Sequence, residues 1–326
     1  MRAVQVVRLD GPAAVELREV PEPSRSPQQV LIEVAAAGVN FPDVLQSKGL
    51  YQYKPETPFT LGSEVAGTVR EVPDGSPLAP GDRVVAYSGT GAFAEVAAAD
   101  ADAVFPLPDN VSFEAGAGLP MNYLTAQFAM VVRGHLEAGQ TVLVHGAAGG
   151  VGTACVQLAA ALGATVIAVV SSDAKAVVAR SVGAAHTVPV EGFRDAVKEL
   201  GGVDLVVDPV GGDRFTDSLR CLRPLGRLLV VGFTAGEIPT VKVNRLLLNN
   251  IAVVGVGWGA FALGRPGFAT GQWDELLPHL RSGALDPPIG ARFPLEKAAE
   301  ALTQIDERRV LGKIVLTTLE GASARS

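Results

Sequence analysis

A short glycine-rich turn in the middle of the chain has the residue types and spacing of a phosphate-binding site. Residues 141–152 read TVLVHGAAGGVG, so an apolar strand-type segment leads directly into a run of small residues. Residues 153–162 follow without a proline and suit a helix. A strand, a tight turn and a helix N-terminus in this order bind the phosphates of a dinucleotide, because glycine lets backbone N–H groups approach them. An ordinary glycine turn of another α/β protein is the alternative interpretation. The predicted phosphate-binding residues are Ala148, Gly149, Gly150 and Val151.

The end of the next predicted strand bears on which nicotinamide dinucleotide would bind. NAD specificity usually needs a carboxylate there for the ribose 2′-hydroxyl. Here Ser171 and Ser172 follow the strand, and Lys175 comes one helical turn later, where its ammonium suits a 2′-phosphate. The pattern therefore favours NADPH, with Ser171 and Lys175 as ligands. The alternative makes Lys175 a solvated helix residue and Asp173 a helix N-cap.

From residue 140 onward, β-type and helical segments alternate, and these elements must position the turn. Short apolar strands separated by amphipathic helices indicate a parallel sheet covered on both faces. The sequence therefore predicts a doubly wound α/β domain. The predicted strands span residues 142–145, 165–171, 186–190, 204–210, 227–232 and 251–256, and the predicted helices span 151–162, 174–182, 193–200 and 213–222.

The first 120 residues and the C-terminal segment differ in kind. Proline and glycine separate short alternating segments such as 30–35, 63–70 and 83–87, which indicates an antiparallel β-rich domain with tight turns. Two helical stretches (274–282 and 295–307) and a final strand at 313–317 are too small for a core of their own, so we expect them to pack on the N-terminal part. The predicted division is a β-rich catalytic domain at 1–121, a nucleotide-binding domain at 122–265, and the returning catalytic segment at 266–326, with a frayed tail at 320–326.

Composition limits the partners and the compartment that we expect. The chain has 326 residues, a net charge of −7, 48% hydrophobic residues and two cysteines. An acidic chain without clusters of Lys and Arg argues against nucleic-acid and anionic-membrane partners. The cysteines are too few for a disulfide framework, and neither a signal-peptide core nor a transmembrane stretch is evident. We therefore expect a cytoplasmic protein with no nucleic-acid or membrane partner.

Several motifs in this order and spacing resemble those of a known family. The chain is similar to the zinc-independent medium-chain dehydrogenases/reductases of the quinone oxidoreductase (zeta-crystallin-like) group. The resemblance covers residues 1 to about 316 and implies a Rossmann-type doubly wound parallel sheet inserted in a β-rich, GroES-like catalytic domain. The motifs are GVNFPD at 38–43, GSEVAG at 62–67, GDRV at 81–84, LT at 124–125, the turn at 146–152 with Gln157, VDPVG at 207–211 and GKIVL at 312–316.

Two of these motifs decide the expectation about zinc. Zinc-dependent relatives supply cysteine and histidine there, whereas this chain has Asn40 and Asp43 in the first motif and Ser63 in the second. Zinc needs about four N or S ligands. Four histidines and two cysteines without a C-x-x-C pair provide no such set. We expect no metal, and we expect Cys155 and Cys221 to be buried small hydrophobes.

The resemblance also implies contacts between individual residues and the cofactor. It implies backbone groups around the ribose and the carboxamide, side chains beside the nicotinamide, and a late arginine at the 2′-phosphate. The residues concerned are Asn40 and Thr125 at the nicotinamide, Val210, Gly232 and Phe233 at the ribose and carboxamide, and Arg308 at the phosphate.

The predicted catalytic residues are Asn40 and Tyr51. Tyr51 matches the position of a catalytic tyrosine in related enoyl-thioester reductases, which makes it the predicted proton donor. The alternative makes Tyr51 an aromatic wall of the acceptor pocket. For the proton, water is a second source when the acceptor is a quinone.

These residues favour hydride transfer from NADPH to an acceptor that is already activated. Without a metal to polarise an alcohol, the suitable acceptors are quinones or related α,β-unsaturated carbonyls, which are small hydrophobic electrophiles. An enoyl-thioester (acyl-CoA) reductase and an NADPH-binding protein with little catalysis are the alternatives.

A homodimer through the edge strand at 251–256 is expected. Family members pair at this edge, and an exposed apolar edge would otherwise invite aggregation. The alternative is an edge covered by the chain's own C-terminal segment.

Overall fold

The computed structural model describes residues 1–262 and 264–318, so the predicted frayed tail lies outside the described residues. The chain divides into two compact units. The first, here the β-rich unit, comprises Met1–Met121 and the segment from Ala269 onward. The second, here the nucleotide unit, comprises Asn122–Phe268. Within the described residues, no helix combines the length and the apolar character needed to span a bilayer.

The strands are numbered in chain order. They are β1 Arg2–Val6, β2 Val15–Glu19, β3 Gln29–Val39, β4 Phe59–Thr60, β5 Glu64–Glu71, β6 Arg83–Tyr87, β7 Val96–Asp100, β8 Val104–Pro106, β9 Thr141–Val144, β10 Thr165–Val170, β11 His186–Pro189, β12 Val203–Asp208, β13 Leu222–Val230, β14 Ala252–Gly255, β15 Ile289–Pro294 and β16 Lys313–Thr317.

The α-helices are α1 Phe41–Ser47, α2 Phe113–Gly116, α3 Pro120–Gln127, α4 Gly150–Ala161, α5 Asp173–Ser181, α6 Phe193–Glu199, α7 Phe215–Cys221, α8 Asn244–Asn249, α9 Trp258–Ala262, α10 Phe268–Arg281 and α11 Ala298–Asp306. A π-helical turn, Phe128–Arg133, follows α3. Short 3₁₀ turns lie at Pro12–Ala14, Ala101–Ala103, Gly212–Arg214 and Leu295–Lys297.

The nucleotide unit is a parallel sheet with the strand order β11-β10-β9-β12-β13-β14. Counted along the chain from β9, this order is 3-2-1-4-5-6, which is the doubly wound dinucleotide-binding arrangement. The order reverses between β9 and β12, and ligands of such sheets bind at the carboxyl ends of the strands beside this point. The core on one side of the sheet contains Leu143, Ile167, Val206 and Leu228.

The β-rich unit is built on a largely antiparallel sheet with the order β15-β16-β3-β5-β6-β8, and β7 also pairs with β3. Strand β3 is central and lies between β5 and β16. In the register of these pairs, Gly38 stands opposite Glu64 and Val39 stands opposite Ile314. This register brings the end of β3 close to the starts of β5 and β16. Asn40, which directly follows β3, lies at the same place.

The predicted fold class is confirmed, and most predicted strands and helices differ from the observed ones only at their ends. Strand β12 was predicted to reach Val210, but it ends at Asp208. Pro209 lacks an N–H for the sheet, and the Asp208 carboxylate binds the next two N–H groups. The helix predicted to reach residue 222 ends at Cys221, and β13 begins at Leu222. Strand β15 was not predicted, and it pairs in parallel with β16.

Candidate functional site: a nucleotide-binding turn and a buried polar cluster

The glycine-rich turn joins β9 to α4 as the sequence predicts. Gly146 has a φ of +59°, and the Gly149 N–H donates to the Gly146 carbonyl at 3.0 Å. A Cβ on Gly152 would lie 2.1 Å from that carbonyl oxygen, so the turn can pass this close to the helix only at glycine. The N–H groups of the first helical turn have no acceptor within their own helix, and they carry the positive end of its dipole. The turn therefore fits a pyrophosphate.

The four residues predicted to bind phosphate lie on this turn and on the first residues of α4. Ala148 is buried, whereas Gly149, Gly150 and Val151 are partly exposed. A Cβ on Gly150 would lie 2.8 Å from Nδ2 of Asn122, so α3 approaches the start of α4. Thr125 lies three residues after Asn122 on α3 and therefore on the same side of that helix.

Of the three residues predicted to bind a 2′-phosphate, Ser171 and Lys175 lie together at the carboxyl end of β10. The Lys175 ammonium donates to the Ser171 hydroxyl at 3.1 Å. The Ser172 hydroxyl accepts from the Lys175 N–H at 3.4 Å and is the N-cap of α5. The alternative in which Asp173 is the N-cap is therefore wrong, because Asp173 is the first residue of the helix. An ammonium and a hydroxyl side by side are a suitable pair of donors for a phosphate.

Val210, Gly232 and Phe233 lie in one neighbourhood at the ends of β12 and β13. Oδ1 of Asp208 accepts from the N–H groups of Val210 and Gly211, both at 2.9 Å. The segment after β13 folds back over this turn, because Ala235 donates its N–H to the Val210 carbonyl at 2.9 Å. The Val210 N–H is therefore already used, and what remains for a ligand at this residue is a carbonyl lone pair. Asp208 positions this turn through these two hydrogen bonds, and burial raises the pKa of its carboxyl group.

Arg308 lies in a different unit from Ser171 and Lys175. It follows α11 in the β-rich unit, is exposed, and has a φ of +58°. Its role at the 2′-phosphate stays a prediction.

The buried histidine of the glycine-rich turn has a structural arrangement. The Ser218 hydroxyl donates to the Arg214 carbonyl at 3.0 Å, so it accepts from Nε2–H of His145 at 2.8 Å. Complete burial lowers the pKa of His145 to about 3, and its ring meets Phe193 edge to face. His145 is therefore neutral, with its proton on Nε2. Both cysteines are buried, and burial raises the pKa of each thiol to about 12, so neither is a reactive thiolate.

Asn40 lies where β3 turns into α1 in the β-rich unit. Its backbone N–H donates to Oδ2 of Asp43 at 2.7 Å, which caps the start of the helix. Asp43 is fully buried, and Asn40 is 5% exposed. Sequence reasoning identified Asn40 as a site residue but did not identify what surrounds its side chain.

Glu64 and Lys313 hold the side chain of Asn40, and sequence reasoning missed both as site residues. The Lys313 ammonium donates to Oε1 of Glu64 at 2.5 Å and to Oδ1 of Asn40 at 2.7 Å. Nδ2 of Asn40 donates to the same Glu64 oxygen at 2.7 Å. The other Glu64 oxygen accepts from the Met121 N–H at 2.7 Å. The sequence does contain a signal for Glu64 and Lys313: each is a single charged residue near the start of an otherwise apolar strand. The acid lies in GSEVAG and the base in GKIVL.

Asp43 belongs to this buried polar cluster, and its charge influences two partly buried tyrosines, Tyr51 and Tyr87. Burial, reinforced by the charge of Glu64, raises the pKa of Asp43 to about 7, although the Asn40 N–H and Lys313 oppose the shift. Burial and the charge of Asp43 raise the pKa of Tyr51, which is half-buried in the loop after α1. The pKa of Tyr87, at the end of β6, is also raised by burial. Tyr51 is therefore protonated at neutral pH, as a proton donor must be.

Family models and known proteins match both units. Residues 26–109 match the alcohol dehydrogenase GroES-like domain, and residues 150–281 match the family described as zinc-binding dehydrogenase. The chain is 38% identical over 323 residues to quinone oxidoreductase-like protein 2 of Mus musculus, covering 97% of this chain and 92% of that protein.

Two quinone oxidoreductases extend the comparison. The Rattus norvegicus enzyme is 34% identical over 328 residues, covering 97% of both chains. The crystal structure of Escherichia coli quinone oxidoreductase complexed with NADPH superposes with a TM-score of 0.88 at 28% identity, covering 97% of this chain and 100% of that one. The chain thus belongs to the quinone oxidoreductase group of the medium-chain dehydrogenase/reductase family, a family of oxidoreductases.

Proposed function

We propose that this protein catalyses the NADPH-dependent reduction of quinones or related α,β-unsaturated carbonyls without zinc. Family membership supports oxidoreductase chemistry with a nicotinamide cofactor. The finer proposal rests on the buried cluster around Asn40 together with the Ser171–Lys175 pair.

The observation that carries the proposal is the position of the Lys313 ammonium. The two motifs at which zinc-dependent relatives supply metal ligands contain Asn40 and Glu64, and Lys313 binds an oxygen of each. The Lys313 side chain is 2% exposed and that of Glu64 is fully buried. A buried carboxylate that already pairs with an ammonium is a poor ligand for a second cation, because the two cations would repel each other in a poorly solvated site. An acceptor that needs no Lewis acid is therefore favoured.

The residues of the nucleotide unit support NADPH as the reductant. The first turn of α4 offers N–H groups to the pyrophosphate, and Ser171 with Lys175 offers a hydroxyl and an ammonium to the 2′-phosphate. When bound, a reduced nicotinamide supplies a hydride, which carries two electrons and one proton.

Reduction of the acceptor then requires one further proton from this chain or from water. In a quinone the reduced oxygens become protonated. In an enone a C–H bond forms at the β-carbon, and the α-carbon takes the proton. Tyr51 is the proposed donor, since its raised pKa keeps the hydroxyl protonated, and the tyrosinate that results takes a proton back from solvent.

The test is to follow NADPH oxidation by the purified protein with three classes of acceptor. The panel contains several benzoquinones and naphthoquinones, simple enones, and crotonyl-CoA. The proposal expects turnover with quinones or enones. Turnover with crotonyl-CoA alone would favour the enoyl-thioester reductase instead. Tight NADPH binding without oxidation by any acceptor would favour a binding protein with little catalysis.

We also propose a homodimer that pairs through β14. This strand is last in the sheet order and pairs with β13 on one side only. Val243, Leu247 and Leu248, on and next to α8, are strongly exposed apolar residues in the same unit. The Val256 N–H bonds to β13, so by alternation the Val253 N–H points away from the sheet.

The mass in solution tests the dimer. Light scattering should give twice the chain mass. Val253→Pro removes this outward N–H but leaves the N–H groups that bond to β13, so it should shift the mass towards one chain. An unchanged mass would contradict pairing through this edge.

A further inference from the structure

The charged groups of Lys313 and Glu64 hold the side-chain amide of Asn40 in one orientation. An ammonium has only donors, and an ionised carboxylate has only acceptors. Because Lys313 contacts one end of the amide and Glu64 contacts the other, Oδ1 must face Lys313 and Nδ2 must face Glu64. The reversed amide would place two donors together at one end and two acceptors at the other.

This orientation determines what Asn40 has left to offer. One N–H of Nδ2 is used by Glu64 at 2.7 Å, and Nδ2 also lies 3.3 Å from the Gly38 carbonyl oxygen. One lone pair of Oδ1 is used by Lys313, and the second lone pair remains. Asn40 is 5% exposed as a residue, and the hydrogen-bonding capacity that remains on its side chain is that of an acceptor.

The surrounding backbone is built to keep Glu64 in place. Its second oxygen accepts from the Met121 N–H at 2.7 Å. A Cβ on Gly38 would lie 2.4 Å from Oε1 of Glu64, and one on Gly118 would lie 3.2 Å from Cγ of Lys313. Two glycines thus leave room for the acid and the base.

We propose that Glu64 and Lys313 are positioning residues that lock the Asn40 amide, so that its oxygen and not its N–H is offered to a bound molecule. This inference rests on the proposed function, because it requires that Asn40 contacts a bound cofactor or acceptor. It specifies that the partner group is a hydrogen-bond donor, such as a hydroxyl or an amide N–H. Asn40 is then not the group that donates to the carbonyl oxygen of an acceptor.

A reciprocal exchange of donor and acceptor between positions 40 and 64 tests the inference. Asn40→Asp alone places two carboxylates against each other, and Glu64→Gln alone leaves the Lys313 ammonium without its ion pair. In the double variant Asn40→Asp/Glu64→Gln, the acid at position 40 pairs with Lys313, and the amide at position 64 donates to it. An acceptor oxygen is thus restored at position 40, while no N–H can be.

The measurements are the Kd for NADPH and the KM and kcat for the best acceptor. We expect each single variant to raise the Kd or the KM, or to lower kcat, by about fivefold or more. This factor corresponds to the loss of about one hydrogen bond. We expect the double variant to recover part of the loss. A double variant that folds and yet performs as poorly as Asn40→Ala would overturn the proposal, because it would show that the N–H of Asn40 is required.

Two further measurements separate this proposal from a merely structural role and from the proposed function. Ile314→Val, next to Lys313 on β16 and buried, is the matched control, which should lower Tm without changing the three constants.

Hydrogen exchange of the Asn40 side-chain amide is the second measurement. In wild-type protein labelled with [15N]asparagine, the amide hydrogens of this side chain should exchange slowly with solvent. It should exchange at least several-fold faster in Lys313→Met/Glu64→Gln. This readout needs no turnover, so a wild type that reduces no acceptor leaves it valid. Equal exchange rates would overturn the lock.

Discussion

The Lys313 ammonium and the Glu64 carboxylate form a buried ion pair across 249 residues of sequence, with an N–O distance of 2.5 Å. Strand β3 lies between the strands that carry them, and Asn40 at its end bonds to both. The pair therefore ties β5 and β16 to the same asparagine.

Removal of one partner of this pair should be costly. Lys313→Met leaves the Glu64 charge buried without its counter-ion, so we expect the free energy of unfolding to fall by about 3–5 kcal/mol. The neutral double variant Lys313→Met/Glu64→Gln should regain most of this loss. Urea denaturation of the three proteins measures it. A single variant as stable as the wild type would contradict the prediction that this ion pair stabilises the fold.

The glycine at the start of α4 should not tolerate a side chain. In Gly152→Ala the new Cβ would lie 2.1 Å from the Gly146 carbonyl oxygen, so the turn must move. We expect loss of NADPH binding and a fall in stability of about 1–3 kcal/mol. Gly271→Ala on α10 is the control, because a Cβ there would meet nothing within 4 Å beyond its chain neighbours and its own helix backbone. This variant should be neutral or stabilising by up to about 1 kcal/mol. Fluorescence titration with NADPH would contradict this prediction if both variants bound alike.

Lys175 should distinguish NADPH from NADH. Its ammonium stands beside the Ser171 hydroxyl at the end of β10, where only NADPH would place a phosphate. We expect Lys175→Ala to raise the Kd for NADPH by about tenfold, as for the loss of one charge-assisted hydrogen bond, and to leave the Kd for NADH nearly unchanged. Arg180→Ala, farther along the same helix, is the control. Equal losses for both cofactors would remove Lys175 from the phosphate site.

Tyr51→Phe should separate the two classes of acceptor. An enone needs a proton on carbon, whereas water readily protonates the oxygens of a reduced quinone. We therefore expect kcat to fall by about 10²-fold or more with enones and much less with quinones. Tyr53→Phe, an exposed neighbour, is the control. Wild-type turnover of enones by Tyr51→Phe would leave Tyr51 as a pocket wall.

Asp43 should make stability depend on pH in a definite direction. Its native pKa is about 7 against 3.8 for an unperturbed aspartate, so between these values the native state binds more protons than the unfolded state. The contribution of this group to stability is therefore present below pH 3.8 and is lost as the pH rises to about 7. Asp43→Asn can still accept from the Asn40 N–H.

The matching measurement is urea denaturation of Asp43→Asn and the wild type across this pH range. The free energy of unfolding of the variant, relative to the wild type, should increase as the pH rises and level off above about pH 7. A constant difference would show that Asp43 titrates normally.

The sequence by itself determined the features whose causes are local. The glycine spacing at 146–152 needs only a neighbouring strand and helix, and the Ser171–Lys175 pair lies within one helical turn. The alternation of apolar strands with helices was enough to predict the doubly wound sheet.

Only the tertiary structure decided the surroundings of Asn40. Glu64 and Lys313 lie 24 and 273 residues from it along the chain, and no local pattern relates them. The register of β3 with β5 and β16 places all three at one point, and long-range strand pairing sets that register. Burial at that point then turns an ordinary lysine and glutamate into a pair that fixes the orientation of an amide.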